Sequence, residues 1–218
     1  MKGLLIKDFK LLKSQTNFFI TIFIIGILLM VMQGSPIIPI SYGTLMFSMF
    51  TLSTISYDEF DNCNAFLFTL PVTRKQYVLE KYVFGILVAV IPWAVSTGIS
   101  VIYQTIKNPG EDLTELLISA PVMLCFALVF LGLTLPVQLK FGADKGRMAM
   151  FGVMGVIVVI GFVIGFVLKS LGIPLEEMIS NLTTMGLAGL LGAILTFCAV
   201  LWVISYSVSL KIIVKKQF

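Results

Sequence analysis

Six stretches of this chain, residues 17–32, 38–57, 82–103, 116–137, 149–168 and 185–206, contain no Asp, Glu, Lys or Arg. Each approaches the roughly 20 apolar residues that an α-helix needs to cross a hydrocarbon layer of about 30 Å. Lipid offers no water to backbone N–H and C=O groups, so such stretches must form helices that satisfy those groups internally. The expected fold is all-α: a polytopic membrane protein with six transmembrane helices, one domain over residues 1–218. Composition agrees, with 58% apolar and 12% charged residues against about 25% charged in soluble domains. Gly34-Ser35-Pro36 and Asn108-Pro109-Gly110 punctuate the gaps as turns.

Ahead of the first stretch, residues 1–15 interleave Leu5, Phe9 and Leu12 with Lys7, Lys10 and Lys13. That spacing predicts an amphipathic helix lying in the membrane interface with its Lys side chains among the headgroups. A signal peptide does not fit, because the basic region is long and amphipathic and no small-residue cleavage site follows. Orientation follows from the loop cations. Lys2, Lys7, Lys10, Lys13, Arg74, Lys75, Lys81, Lys140, Lys145, Arg147, Lys211, Lys215 and Lys216 fall on one side; Lys107 and Lys169 fall on the other. Six spans with both termini cytoplasmic, in the cell membrane, are expected. The net charge of +4 then reflects topology, and no nucleic-acid partner is needed to explain it.

Several chemistries are missing. There is no His, which removes Ser-His and Cys-His catalysis and most zinc sites. Cys63, Cys125 and Cys198 have no metal or disulfide spacing and read as free thiols. No Gly-x-x-x-x-Gly-Lys-Ser/Thr phosphate loop occurs, so the chain is not expected to bind a cofactor or hydrolyse ATP by itself. Spans without ionisable groups lower the prospect of an ion-coupled carrier. Glu176-Glu177 lacks the polar groups a membrane protease requires, and Asn181-Leu182-Thr183 is a common chance sequon.

The inward loop, residues 58–81, is the most informative segment. Asp58 and Glu59 open it. Phe60, Cys63, Leu67 and Leu70 recur at helical spacing, Pro71 ends that helix, and Thr73 with Gln76 stands at capping-box spacing before the third span. The stripe either rests on the protein's own helices or lipid, or its element docks a cytoplasmic partner, with Phe66 and Phe68 off the stripe as aromatic anchors.

At this loop the chain resembles the membrane subunit of an ABC-2-type ABC transporter. Lys7-Asp8-Phe9 within residues 1–15 fits that family's elbow helix. Asp58-Glu59, residues 60–69, and Leu70-Pro71-Val72-Thr73-Arg74 fit its acidic start, coupling helix and turn, and Lys81-Tyr82 fits the beginning of its third span. Small size and bare outward loops look most similar to bacterial peptide exporters, including permease subunits of phenol-soluble-modulin exporters. The resemblance implies a separate ATP-binding subunit, in two copies and carrying ATP and Mg, docked on this loop. It implies a second permease subunit, identical or paralogous, and export of peptide cargo. It assigns Asp58, Glu59, Phe60, Cys63, Phe66, Leu67, Leu70, Arg74 and Lys75 to the ATPase-coupling surface, although Arg74 and Lys75 equally suit topology charges at the headgroups.

In the second span Ser41, Thr44, Ser48 and Thr51 share one helical face. Such hydroxyls either bond to their own backbone and glue helices together or form a mildly polar wall of a translocation path; the resemblance favours the path, with amphipathic or apolar cargo. Gly161 and Gly165 suit a dimer contact or internal helix packing. Pro92, Pro121 and Pro136 are expected to kink the third and fourth spans. A different class of function, a non-transporting immunity or sensor protein that binds a peptide or partner in the bilayer, fits the same topology.

Overall fold

A computed structural model of the chain describes residues 2–60, 67, 69, 72–109, 113–170 and 186–215, with only part of the side chains between 143 and 194. Among the described residues the helices are α1 (Lys2–Ser14), α2 (Thr16–Gln33), α3 (Ile37–Glu59), α4 (Arg74–Lys107), α5 (Thr114–Ser170) and α6 (Gly186–Lys215), and no strand occurs. Cys63, Phe66, Leu70, Pro71, Glu176, Glu177 and Asn181 lie outside the described residues.

Five stretches among the described residues are long and apolar enough to cross a membrane: Thr16–Gln33, Ile37–Glu59, Arg74–Lys107, Thr114–Gly142 and Leu195–Lys215. The span expected over residues 149–168 falls in the second arm of α5, many of whose side chains lie outside the described ones. The two arms of α5 meet at Gly142, whose φ of +74° and ψ of −170° are not helical. Only glycine adopts that backbone without strain. The Glu59 carboxylate also occupies the place where a Cβ on residue 142 would sit.

Contacts at the helix ends fix the course of the chain. Gly34 (φ +69°) caps α2 by donating its N–H to the Met30 carbonyl at 2.8 Å, and Lys107 at the end of α4 lies beside it. At the opposite end Lys7 of α1 pairs with Asp58 of α3, Glu59 meets Gly142, and Arg74 reaches the last turn of α6. Helix α1 and the last turn of α6 therefore share one end of the bundle.

Helix α3 is the centre. Of its most apolar window 56% is buried, against 22% for α2, because α2, α4 and α5 all pack on it. Close approach to α4 needs Gly43, where a Cβ would lie 2.8 Å from Ser96 Oγ. The main core gathers Ile55, Tyr77, Val78, Phe130, Leu131 and Leu135. Helix α2 buries only Phe19, Ile22, Gly26 and Met30, and leaves Phe18, Ile24, Leu28 and Val31 exposed. A helix apolar on its outer face suits lipid and not water.

Candidate functional site

The loop opening at the end of α3 divides by side. Leu67 is buried and joins the main core, with Val72 packed against it. Phe60, the C-terminal cap of α3, is extended (φ −62°, ψ 137°) and 68% exposed. Lys75 is exposed. Thr73 caps α4 as its spacing predicts: it accepts from the Gln76 N–H at 3.2 Å, and its own N–H donates to Gln76 Oε1 at 3.3 Å. Arg74 takes a position that spacing alone does not suggest. Its guanidinium donates to the carbonyls of Ile213 (3.1 Å) and Val214 (2.7 Å). Those carbonyls lack helical partners at the end of α6, where a cation is favoured.

Beneath the loop lies a buried charge cluster. Lys81 is fully buried. Its ammonium reaches Asp8 Oδ2 at 2.5 Å, Asp58 Oδ2 at 2.7 Å and Thr54 Oγ1 at 3.2 Å. Lys7 bonds Asp58 from α1 and lies 3.2 Å from Asp8 Oδ1, and Tyr77 donates to Asp58 Oδ2 at 3.2 Å. Asp8 and Glu80 are also fully buried. The sequence reading placed the Lys side chains of α1 in the headgroup zone and counted Lys81 among the inward topology charges. Lys81 instead sits inside the protein. Charges this deep persist only when paired, and the pairing joins α1, α3 and α4. A signal for it exists in the sequence: Asp8 follows Leu4 by four residues, on the face of α1 that turns inward.

The hydroxyl stripe of α3 faces its neighbours. Thr44, Ser48 and Thr51 are fully buried, and Ser41 is partly exposed. Thr44 donates to the Ile40 carbonyl at 2.5 Å and Ser48 to that of Thr44 at 2.6 Å; Ser41 bonds back to Ile37 and Ile38. The hydroxyls of Thr51, Ser96, Thr97 and Ser100 are buried without a hydrogen-bond partner. A Cβ on Gly161 or Gly165 would meet nothing within 4 Å among the described residues.

Two further ties hold α6 to the bundle. The Tyr82 hydroxyl bonds Ser205 (2.5 Å) and Ser209 (2.8 Å). The thiols of Cys125 and Cys198 are free, with their Sγ atoms 2.7 Å apart. No cluster able to hold a metal occurs among the described residues.

A family model described as ABC-2 family transporter protein matches residues 3–214, almost the whole chain. No curated protein matches, and no solved structure does.

Proposed function

This chain belongs to the ABC-2 family of transporter proteins, and we propose that it is the permease subunit of an exporter whose cargo is amphipathic or apolar peptide. The family supports the broader statement: a multi-pass membrane component of an ABC transporter that is not itself catalytic and works with an ABC ATP-binding subunit. The finer reading adds six spans, an interfacial α1 and both termini in the cytoplasm. Two ATP-binding subunits then dock on residues 58–81, and a second permease, identical or paralogous, completes the path. Resemblance to phenol-soluble-modulin exporters belongs to this proposal as well.

One observation supports the docking of an ATP-binding subunit on this segment. Phe60 stands exposed at the end of the bundle, while Asp58, Glu59 and Arg74 of the same 58–81 segment are tied to three different helices. Asp58 holds α1 through Lys7, Glu59 abuts the break in α5, and Arg74 holds α6. A force applied at the loop by a docked subunit is passed to each of them. A path along Ser41, Thr44, Ser48 and Thr51 requires α3 to part from α4, and the unpartnered hydroxyls of Thr51, Ser96 and Ser100 would then meet water or cargo.

The test is co-purification in nanodiscs with ATP-binding subunits of the same host, followed by an ATPase assay. A stable complex whose hydrolysis responds to the permease, and which Phe60→Ala weakens, supports the reading. If none of the ATP-binding subunits associates, the immunity or sensor function takes its place.

A further inference from the structure

The charge cluster under the loop contains one carboxyl too many. Among the described residues its ionisable groups are Lys7 and Asp8 on α1, Asp58 on α3, and Tyr77, Glu80 and Lys81 on α4. With every carboxyl ionised and Tyr77 neutral, three negative charges face two positive ones, and every one of these groups except Lys7 is buried. An ammonium has three donors, and those of Lys81 go to Asp8, Asp58 and Thr54. Glu80 is left with Lys81 Nζ at 3.8 Å, too far for a hydrogen bond. Both its oxygens are buried and accept nothing. Asp8 Oδ1 also accepts no hydrogen bond, although Lys7 stands 3.2 Å away. The carboxyls of Glu80 and Asp8 flank the same ammonium, with Asp8 Oδ2 2.5 Å and Glu80 Oε2 3.8 Å from Lys81 Nζ. Two ionised carboxylates have no proton with which to make a hydrogen bond to each other.

We propose that Glu80 and Asp8 form a buried proton-binding site, with one proton held between the two carboxyls, and that this proton keeps α1 docked on α4. When bound, it balances the cluster at two positive and two negative charges and supplies the donor that Glu80 lacks. When it leaves for solvent, two like charges stand on either side of the α1–α4 contact, and a desolvated carboxylate that accepts no hydrogen bond disfavours the packed state. Proton binding is separate from the transport reading and is tested on the permease chain alone.

The experiment is infrared spectroscopy of the full chain in nanodiscs, titrated from pH about 5 to about 9, the range over which a buried glutamate titrates. At neutral pH the exposed acids are ionised, so a carboxylic-acid C=O band, shifted in D₂O, reports a buried protonated carboxyl. The expected result is such a band in the wild type, equivalent to one proton per chain and lost at the alkaline end. Its absence at neutral pH overturns the proposal. Glu80→Gln, which keeps a donor to Asp8 without a titrating proton, is expected to abolish the band; loss of a carboxylate band instead also overturns it. Asp8→Asn serves where that variant does not fold. It removes one negative charge, so the cluster is neutral with Glu80 ionised, and the acid band must again disappear. A band that survives in either folded variant assigns the proton elsewhere and refutes the site. As a second readout, wild-type thermal stability is expected to fall with rising pH while that of Glu80→Gln stays level. Parallel profiles would place the proton on another group.

Discussion

Lys81 Nζ lies 2.5 Å from Asp8 Oδ2, and both side chains are fully buried. An amphipathic N-terminal helix is thereby fastened to the core by an ion pair inside the protein. Removing one partner of a buried pair costs about 3–5 kcal/mol, because the other charge stays behind unpaired. Lys81→Ala is expected to lose that much, or to fail to accumulate. Asp8→Asn with Lys81→Met, which removes both charges, should recover much of the loss. Thermal denaturation in detergent measures both; equal damage in the single and double variants would contradict the pairing.

Arg74→Ala should loosen the last turn of α6. Hydrogen bonds from a charged donor contribute about 1.5–3 kcal/mol, and here one guanidinium nitrogen serves two carbonyls. Arg74→Lys should restore part of the loss, since an ammonium also has donors enough for two carbonyls. Faster hydrogen exchange confined to the C-terminal turn of α6 is the expected signature. Unchanged exchange there would mean that the cap holds nothing.

Gly142→Ala forces a β-carbon onto a backbone at φ +74° and against the Glu59 carboxylate. Backbone strain of this kind costs about 1–3 kcal/mol, before the displacement of Glu59. Gly161→Ala and Gly165→Ala meet nothing within 4 Å among the described residues and should stay within about 0.5 kcal/mol of the wild type. If either weakens association of two permeases without changing the thermal midpoint, that face is a contact between chains.

Phe60 and Leu67 should separate cleanly. Phe60→Ala touches an exposed ring, so stability should hold within about 0.5 kcal/mol. Binding of the ATP-binding subunit should weaken by about 2 kcal/mol if the ring is an anchor, roughly 30-fold in Kd. Leu67→Ala removes a core side chain and should cost about 2–5 kcal/mol of stability. Titration of the ATP-binding subunit into nanodiscs reads the first, and thermal denaturation reads the second.

Much of the fold was legible because lipid permits so few answers. The uncharged stretches predict helices, and the capping box at Thr73 and Gln76 places the start of α4 where the structure has it. The turn at Gly34 appears as a left-handed cap. The loop was legible only in part. Its periodicity groups Phe60 with Leu67, yet one faces out and the other enters the core. Phe60 ends α3 in an extended conformation, and helical spacing carries no information across such a break.

The sequence by itself determined that this chain is helical and crosses a membrane several times, because those conclusions rest on local chemistry: apolar length and charge spacing. Tertiary structure alone decided which charges are paired. Asp8, Asp58 and Lys81 lie far apart along the chain, and each reads as an ordinary charge of an amphipathic helix or a helix end. Only the packing of α1, α3 and α4 brings them together, removes water from around them and leaves Glu80 without a donor. Burial sets the energy of a charge, and burial belongs to the assembled bundle and not to any one segment.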